Sequence, residues 1–154
     1  MKYILLPIIL LLSLASNAKE IFPPLCKPIM VNHELLKLSA EKPAIVMIHN
    51  LSNAELWLTH QDKDPSANAG WSSKLQTNNW SALAIDEKAF GISCIESQPG
   101  HEQQVPCSGL LAACVWSNVE MPESLSGTFW AGEDMTLSAL TAHVGSRGVV
   151  LPVH

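Results

Sequence analysis

The stretch Phe90-Gly91-Ile92-Ser93-Cys94-Ile95-Glu96-Ser97 runs through Pro99-Gly100-His101 into Glu102-Gln103-Gln104-Val105-Pro106-Cys107. Two runs of strand composition flank a proline and a glycine, which is the pattern of a β-hairpin. With the turn centred between Gly100 and His101, Cys94 falls directly opposite Cys107. Opposed residues on neighbouring antiparallel strands bring their Cβ atoms to the separation a disulfide needs. The reading therefore pairs Cys94 with Cys107 and, by remainder, Cys26 with Cys114.

Working outward, Ala44-Ile45-Val46-Met47-Ile48 is apolar without alternation, which suits a strand covered on both faces. Asn50, Leu51, Ser52 and Asn53 supply turn chemistry, and Glu55 to His60 resumes as a strand, so these two segments read as a second hairpin. Gln61 to Gly70 is polar and rich in Asp, Ser, Asn and Pro, and reads as an exposed loop. Trp71 to Leu75 and Trp80 to Asp86 follow as short strands split by Gln76 to Asn79. Leu110 to Trp116 is another continuous apolar run. About seven short strands separated by turns favour a mainly β fold, an antiparallel sandwich or barrel. Near the end, Leu137, Leu140 and Val144 fall at helical spacing. This predicts one short helix over Glu133 to Val144, with Asp134 capping its start and Gly145 ending it. Gly148 to Val153 reads as an edge strand.

The beginning of the chain has another character. Lys2, the apolar run Ile4 to Leu14, and the small residues Ala15, Ser16 and Ala18 have the layout of a secretory signal peptide spanning residues 1–18. The run is about half the length a bilayer-spanning helix requires. Residues 19–42 follow as an extended arm containing Pro23, Pro24 and Pro28, whose missing amide donors disfavour a sheet ladder. Residues 43–154 form the single β-rich domain. Removing residues 1–18 takes away Lys2 and leaves 8 Lys+Arg against 14 Asp+Glu, a formal charge of −6. That excess repels phosphate backbones and anionic head groups, so neither nucleic acid nor a membrane surface is expected as a partner. An even number of cysteines in an exported chain reads as disulfides, and the expected location is periplasmic or secreted.

Reaction chemistry finds little support. His101, Cys107 and Cys114 are too widely spaced for a zinc motif, and His49, His60, Asp62 and Asp64 read as solvated strand-end and loop residues. No serine sits in a Gly-x-Ser-x-Gly elbow, and disulfide-bonded cysteines are not nucleophiles. The adjacent acids Asp86-Glu87 and Glu133-Asp134 are ordinary surface or helix-start pairs. No cofactor, no metal and no enzymatic activity are expected. The five tryptophans carry more information, because tryptophan buries large area yet wants a partner for its indole donor. Trp116 ends an apolar run and reads as core. Trp71, after the polar loop, and Trp80, between Asn79 and Ser81, read as the most exposed, and with Asp62 and Asp64 they are the candidate binding surface.

The landmarks Asn50, Glu55-Leu56-Trp57-Leu58-Thr59-His60, Ala69-Gly70-Trp71-Ser72-Ser73, Trp80-Ser81-Ala82-Leu83-Ala84 and the two-cysteine hairpin, together with the signal peptide, resemble the enhanced-entry protein B family of Legionella-type intracellular bacteria. The resemblance implies an envelope role supporting entry into, or growth inside, host cells, and carries over no site residues. The expected function is thus a non-enzymatic exported module that binds another envelope or periplasmic protein. Two alternatives stand beside it: a carbohydrate or small-ligand module using Trp71 and Trp80, and an inhibitor of a cell-wall hydrolase presenting the acidic loop.

Overall fold

The computed structural model describes residues 22–40, 42–60, 72–86, 89–98 and 100–152. The fold is mainly β, with two open antiparallel sheets packed as a sandwich and one short C-terminal helix. The first sheet has the order β1 (Lys27–Ile29), β9 (Leu111–Trp116), β3 (Ala44–Asn50), β6 (Trp80–Ile85), β10 (Phe129–Met135). The second has the order β2 (Leu35–Leu38), β7 (Phe90–Gln98), β4 (Leu56–His60), β5 (Ser72–Leu75), with β8 (His101–Val105) also paired to β7. Strands β2 and β8 lie end to end on one side of β7, against Phe90–Ser93 and Cys94–Gln98 respectively.

The unbroken apolar text of β3 and β6 has a direct cause: the first sheet is covered on both faces. Val46, Ile48, Leu83 and Ile85 point into the sandwich, where they meet Leu36, Leu56, Leu58 and Ile92 of the second sheet. Ile45, Met47, Trp80 and Ala82 point the other way, against Leu140 and Val144 of helix α1 (Leu137–Ser146). The second sheet has only one covered face, so its strands alternate: Leu56 and Leu58 are buried while Trp57 and Thr59 are half-buried on the outside.

Several expectations need correction. The hairpin of β7 and β8 forms, but Gln98 pairs with His101, so the connection is Pro99-Gly100 and Cys94 lies opposite Val105. Gly100 takes φ 84, the left-handed region glycine enters at little cost. Cys107 nevertheless bonds Cys94, with a Cα separation of 5.4 Å. A diagonal partner on a straight strand lies about 7–8 Å away. Here β8 ends at Val105, and beyond Pro106 the chain curls, with the Cys107 carbonyl accepting from the amides of Leu110 and Leu111. Strands β3 and β4 are not a hairpin; they lie in different sheets. Asn50 makes the corner between them. Its fully buried side chain donates from Nδ2 to the Ala54 and Leu75 carbonyls at 2.8 and 2.9 Å and accepts at Oδ1 from the Ser52 amide and hydroxyl.

The arm is not irregular throughout, because it supplies β1 and β2, an edge strand for each sheet. Pro28 is accommodated in the three-residue edge strand β1, where one side of the ladder stays open. Leu36 and Leu38 alternate with exposed Lys37 and close the sandwich. Glu133 and Asp134 belong to β10, a strand missing from the expected set and irregular in register around Gly132. Asp134 therefore does not cap the helix: it has φ 52, and its Oδ1 accepts from the Gln76 amide and Asn79 Nδ2. Thr136 caps α1 through Oγ1 to the Ala139 amide, and Gly145 lies inside the helix. In the expected final edge strand, Val150 makes only an isolated bridge with Glu120. The signal-peptide segment, the Gln61 to Gly70 loop and Val153 lie outside the described residues.

Candidate functional site

Of the residues singled out from sequence, Asp62, Asp64 and Trp71 lie outside the described residues. Trp80 is a correction: it is 4% exposed, with His49 stacked on it at 4.2 Å between ring centroids and Phe22 edge-on at 6.3 Å. Its neighbours Asn79 and Ser81 suggest a surface position, but a strand covered on both faces buries every side chain it carries. His49 and His60, on strands of different sheets, do not face one another; His60 stacks on Phe90. Among the described residues no group of three or more His, Cys, Asp or Glu is placed to hold a metal ion. No helix among them is long and apolar enough to cross a membrane.

A concave feature lies on the side of the first sheet that α1 covers. It is a groove of about 1000 Å³. Pro23 and Pro24 form one wall and Leu137, Ser138, Thr141 and Ala142 of α1 another, while Leu151 and Pro152 from the C-terminal end and Trp116 of β9 complete it. Among the described residues no ionisable side chain lines it.

Each wall is held by identifiable bonds. Cys26–Cys114 ties the turn after Pro23 to β9. The Trp116 indole donates to the Pro24 carbonyl at 2.9 Å, so this core tryptophan satisfies its donor while holding a wall. Helix α1 sits close because residue 132 is glycine: a Cβ there would lie 2.4 Å from Leu140 Cδ1 and 3.2 Å from His143 Cδ2. The turn closed by the Cys26 amide to the Pro23 carbonyl carries Leu25, 43% exposed and at φ 61, next in sequence to the groove residue Pro24. A branched side chain in that region is strained, and strain of this kind concentrates at binding sites.

The groove assembles Pro23, Trp116, Leu137 and Leu151 from both ends of the described chain, and local sequence patterns do not reveal such a meeting. Sequence reasoning passed over Trp57, although the alternation Leu56-Trp57-Leu58-Thr59 is the signal that sets it on the face opposite two core leucines, the outer face of the second sheet. No family model, curated protein or solved structure matches the chain.

Proposed function

We propose that this is an exported, non-enzymatic contact protein of the periplasm or envelope, and that its groove takes an extended apolar segment of a partner protein. The observation that carries the reading is the chemistry of that groove: tryptophan, proline, leucine and alanine with two hydroxyl side chains and, among the described residues, no ionisable group. Such a lining rewards burial of apolar surface, at about 25 cal/mol per Å² removed from water, and offers no acid, base or nucleophilic thiol to a substrate. Proline and aromatic walls also favour an extended peptide, which loses little conformational entropy on docking. The two disulfides support an oxidising compartment, where such bonds persist. A part in host-cell entry or intracellular growth rests on the resemblance alone, and a deletion strain that enters and multiplies normally in host cells would remove it.

The direct test is selection of displayed random peptides on the oxidised protein. Enriched sequences should be apolar and free of helix periodicity, and Ala142→Glu, which places a charge on an exposed position of the groove wall, should abolish their binding. Selection of charged peptides, or peptides indifferent to Ala142→Glu, would overturn the proposal.

A further inference from the structure

The outer face of the second sheet carries a feature that the groove does not explain. Trp57 stands near the middle of that face, on β4, with neighbours on both sides. The register places Lys74 of β5 beside it on one side and Ile95 of β7 on the other, and Gln104 of β8 beyond Ile95. Trp57 and Ile95 are half-buried and Lys74 and Gln104 exposed, whereas Leu56, Leu58 and Cys94 in the same strands are buried in the sandwich. The four side chains therefore form one row across the sheet with an apolar centre and polar ends. Leu35 and Thr59 flank it in the next row, either side of Ser93.

We propose that this row is a docking site for a neutral, flat oligosaccharide built of equatorially linked sugars. The apolar centre is an indole beside one isoleucine. An aromatic side chain buries about 150–250 Å² when covered completely; Trp57 is already half-buried, so the apolar centre has less than this left to cover, whereas a stable protein interface needs about 800 Å² per partner. An apolar centre this small suits the C–H face of a sugar ring better than a protein surface. Charge also selects. Lys74, which the register places beside Trp57, is ion-paired, its Nζ 2.8 Å from Glu55 Oε2. Among the described residues the row therefore carries no unpaired cation for a phosphate or carboxylate, and it offers a sugar's hydroxyls the Gln104 amide and the Lys74 ammonium. Neighbouring strands lie about 4.8 Å apart. Polar groups at both ends of a row four strands wide therefore meet an extended glycan lying across the strands.

The test uses the oxidised protein with cellohexaose and N-acetylchitohexaose as probes and maltohexaose, whose axial linkages curl the chain, as the control. Calorimetry should give saturable binding of at least one flat glycan, with a Kd of about 1 mM or tighter. Trp57→Ala should weaken it about tenfold or more, Trp57→Phe should retain part of it, and the groove variant Ala142→Glu should leave it unchanged. Trp57 points away from the sandwich, so circular dichroism should show both Trp57 variants folded. The proposal is overturned by absence of saturable binding to both flat glycans, by equal affinity for maltohexaose, or by undiminished binding in Trp57→Ala. It is equally overturned if the protein self-associates in solution and Trp57→Ala dissociates it, since a second copy then covers this face.

Discussion

Replacing Asn50 by Asp keeps the size of the side chain and changes only its chemistry, at the corner where the chain passes from one sheet to the other. Asn50 donates twice, to the carbonyls of Ala54 and Leu75. A carboxylate donates to neither and turns a fully buried neutral group into a charge beside two carbonyl oxygens. A buried acceptor stripped of its partner costs about 1–3 kcal/mol, and an unpaired buried charge costs more, so the variant should lose about 3–5 kcal/mol at pH 7. The pH dependence is diagnostic. Burial and the facing carbonyls raise the pKa of the introduced carboxyl in the folded state, so the folded protein holds its proton more tightly than the unfolded one. Stability relative to wild type therefore falls as pH rises through the unfolded value of about 3.9. Below that value the acid is neutral in both states, can donate to one carbonyl, and the deficit should shrink to about 1–2 kcal/mol. Urea unfolding of both oxidised proteins across this range measures the difference. A deficit under about 0.5 kcal/mol at pH 7, or one that does not shrink in acid, would refute the account of the corner.

Gly132→Ala places a methyl group 2.4 Å from Leu140 Cδ1, so the fully buried Leu140 side chain or α1 must shift; overpacking of this kind costs about 1–3 kcal/mol. Thermal unfolding should show it, and the loss in Gly132→Ala/Leu140→Ala should be smaller than the sum of the single losses. Removing Cys26–Cys114, whose partners are 88 positions apart, should cost about 4.5 kcal/mol, against about 3 for Cys94–Cys107, 13 positions apart. Equal losses in paired Cys→Ala variants would contradict that ranking. Leu25→Gly relieves a left-handed leucine at an exposed turn and should be neutral or stabilising by up to about 1 kcal/mol in urea unfolding; a loss of more than about 1 kcal/mol would contradict the strain.

The local periodicities that a strand or helix imposes were legible. Unbroken apolar text in Ala44–Ile48 announced a strand covered on both faces, and the spacing of Leu137, Leu140 and Val144 announced a helix. The cysteine partners were also legible, although through a register displaced at the turn; Pro99-Gly100 forms the connection, and the chain's curl after Pro106 restores the contact. What could not be read was which sheet each strand joins. The turn chemistry of Asn50 to Asn53 serves a tight hairpin and an inter-sheet corner equally well, and only the burial of Asn50 against Leu75 distinguishes them. Strand β10 escaped notice because its register breaks at Gly132 erase alternation, and the acidic pair Glu133-Asp134 resembles a helix start. Trp80 was misplaced because polar sequence neighbours say little about exposure in a strand with two covered faces. The groove was invisible for a different reason, since its walls come from segments far apart in the chain that only tertiary contacts, among them the Cys26–Cys114 disulfide and the Trp116–Pro24 hydrogen bond, bring together.

The central claim is that the groove beside α1 receives an apolar segment of another protein. A photoreactive amino acid at position 142, on the exposed groove face of α1, tests it most directly in living cells, with the same residue at position 37 on the opposite side of the molecule as control. The claim predicts a discrete protein adduct from position 142 alone, whose cross-linked peptide is apolar and extended and which disappears when that peptide is altered in the partner. Adducts of equal yield from both positions, or no protein adduct from position 142, would contradict it.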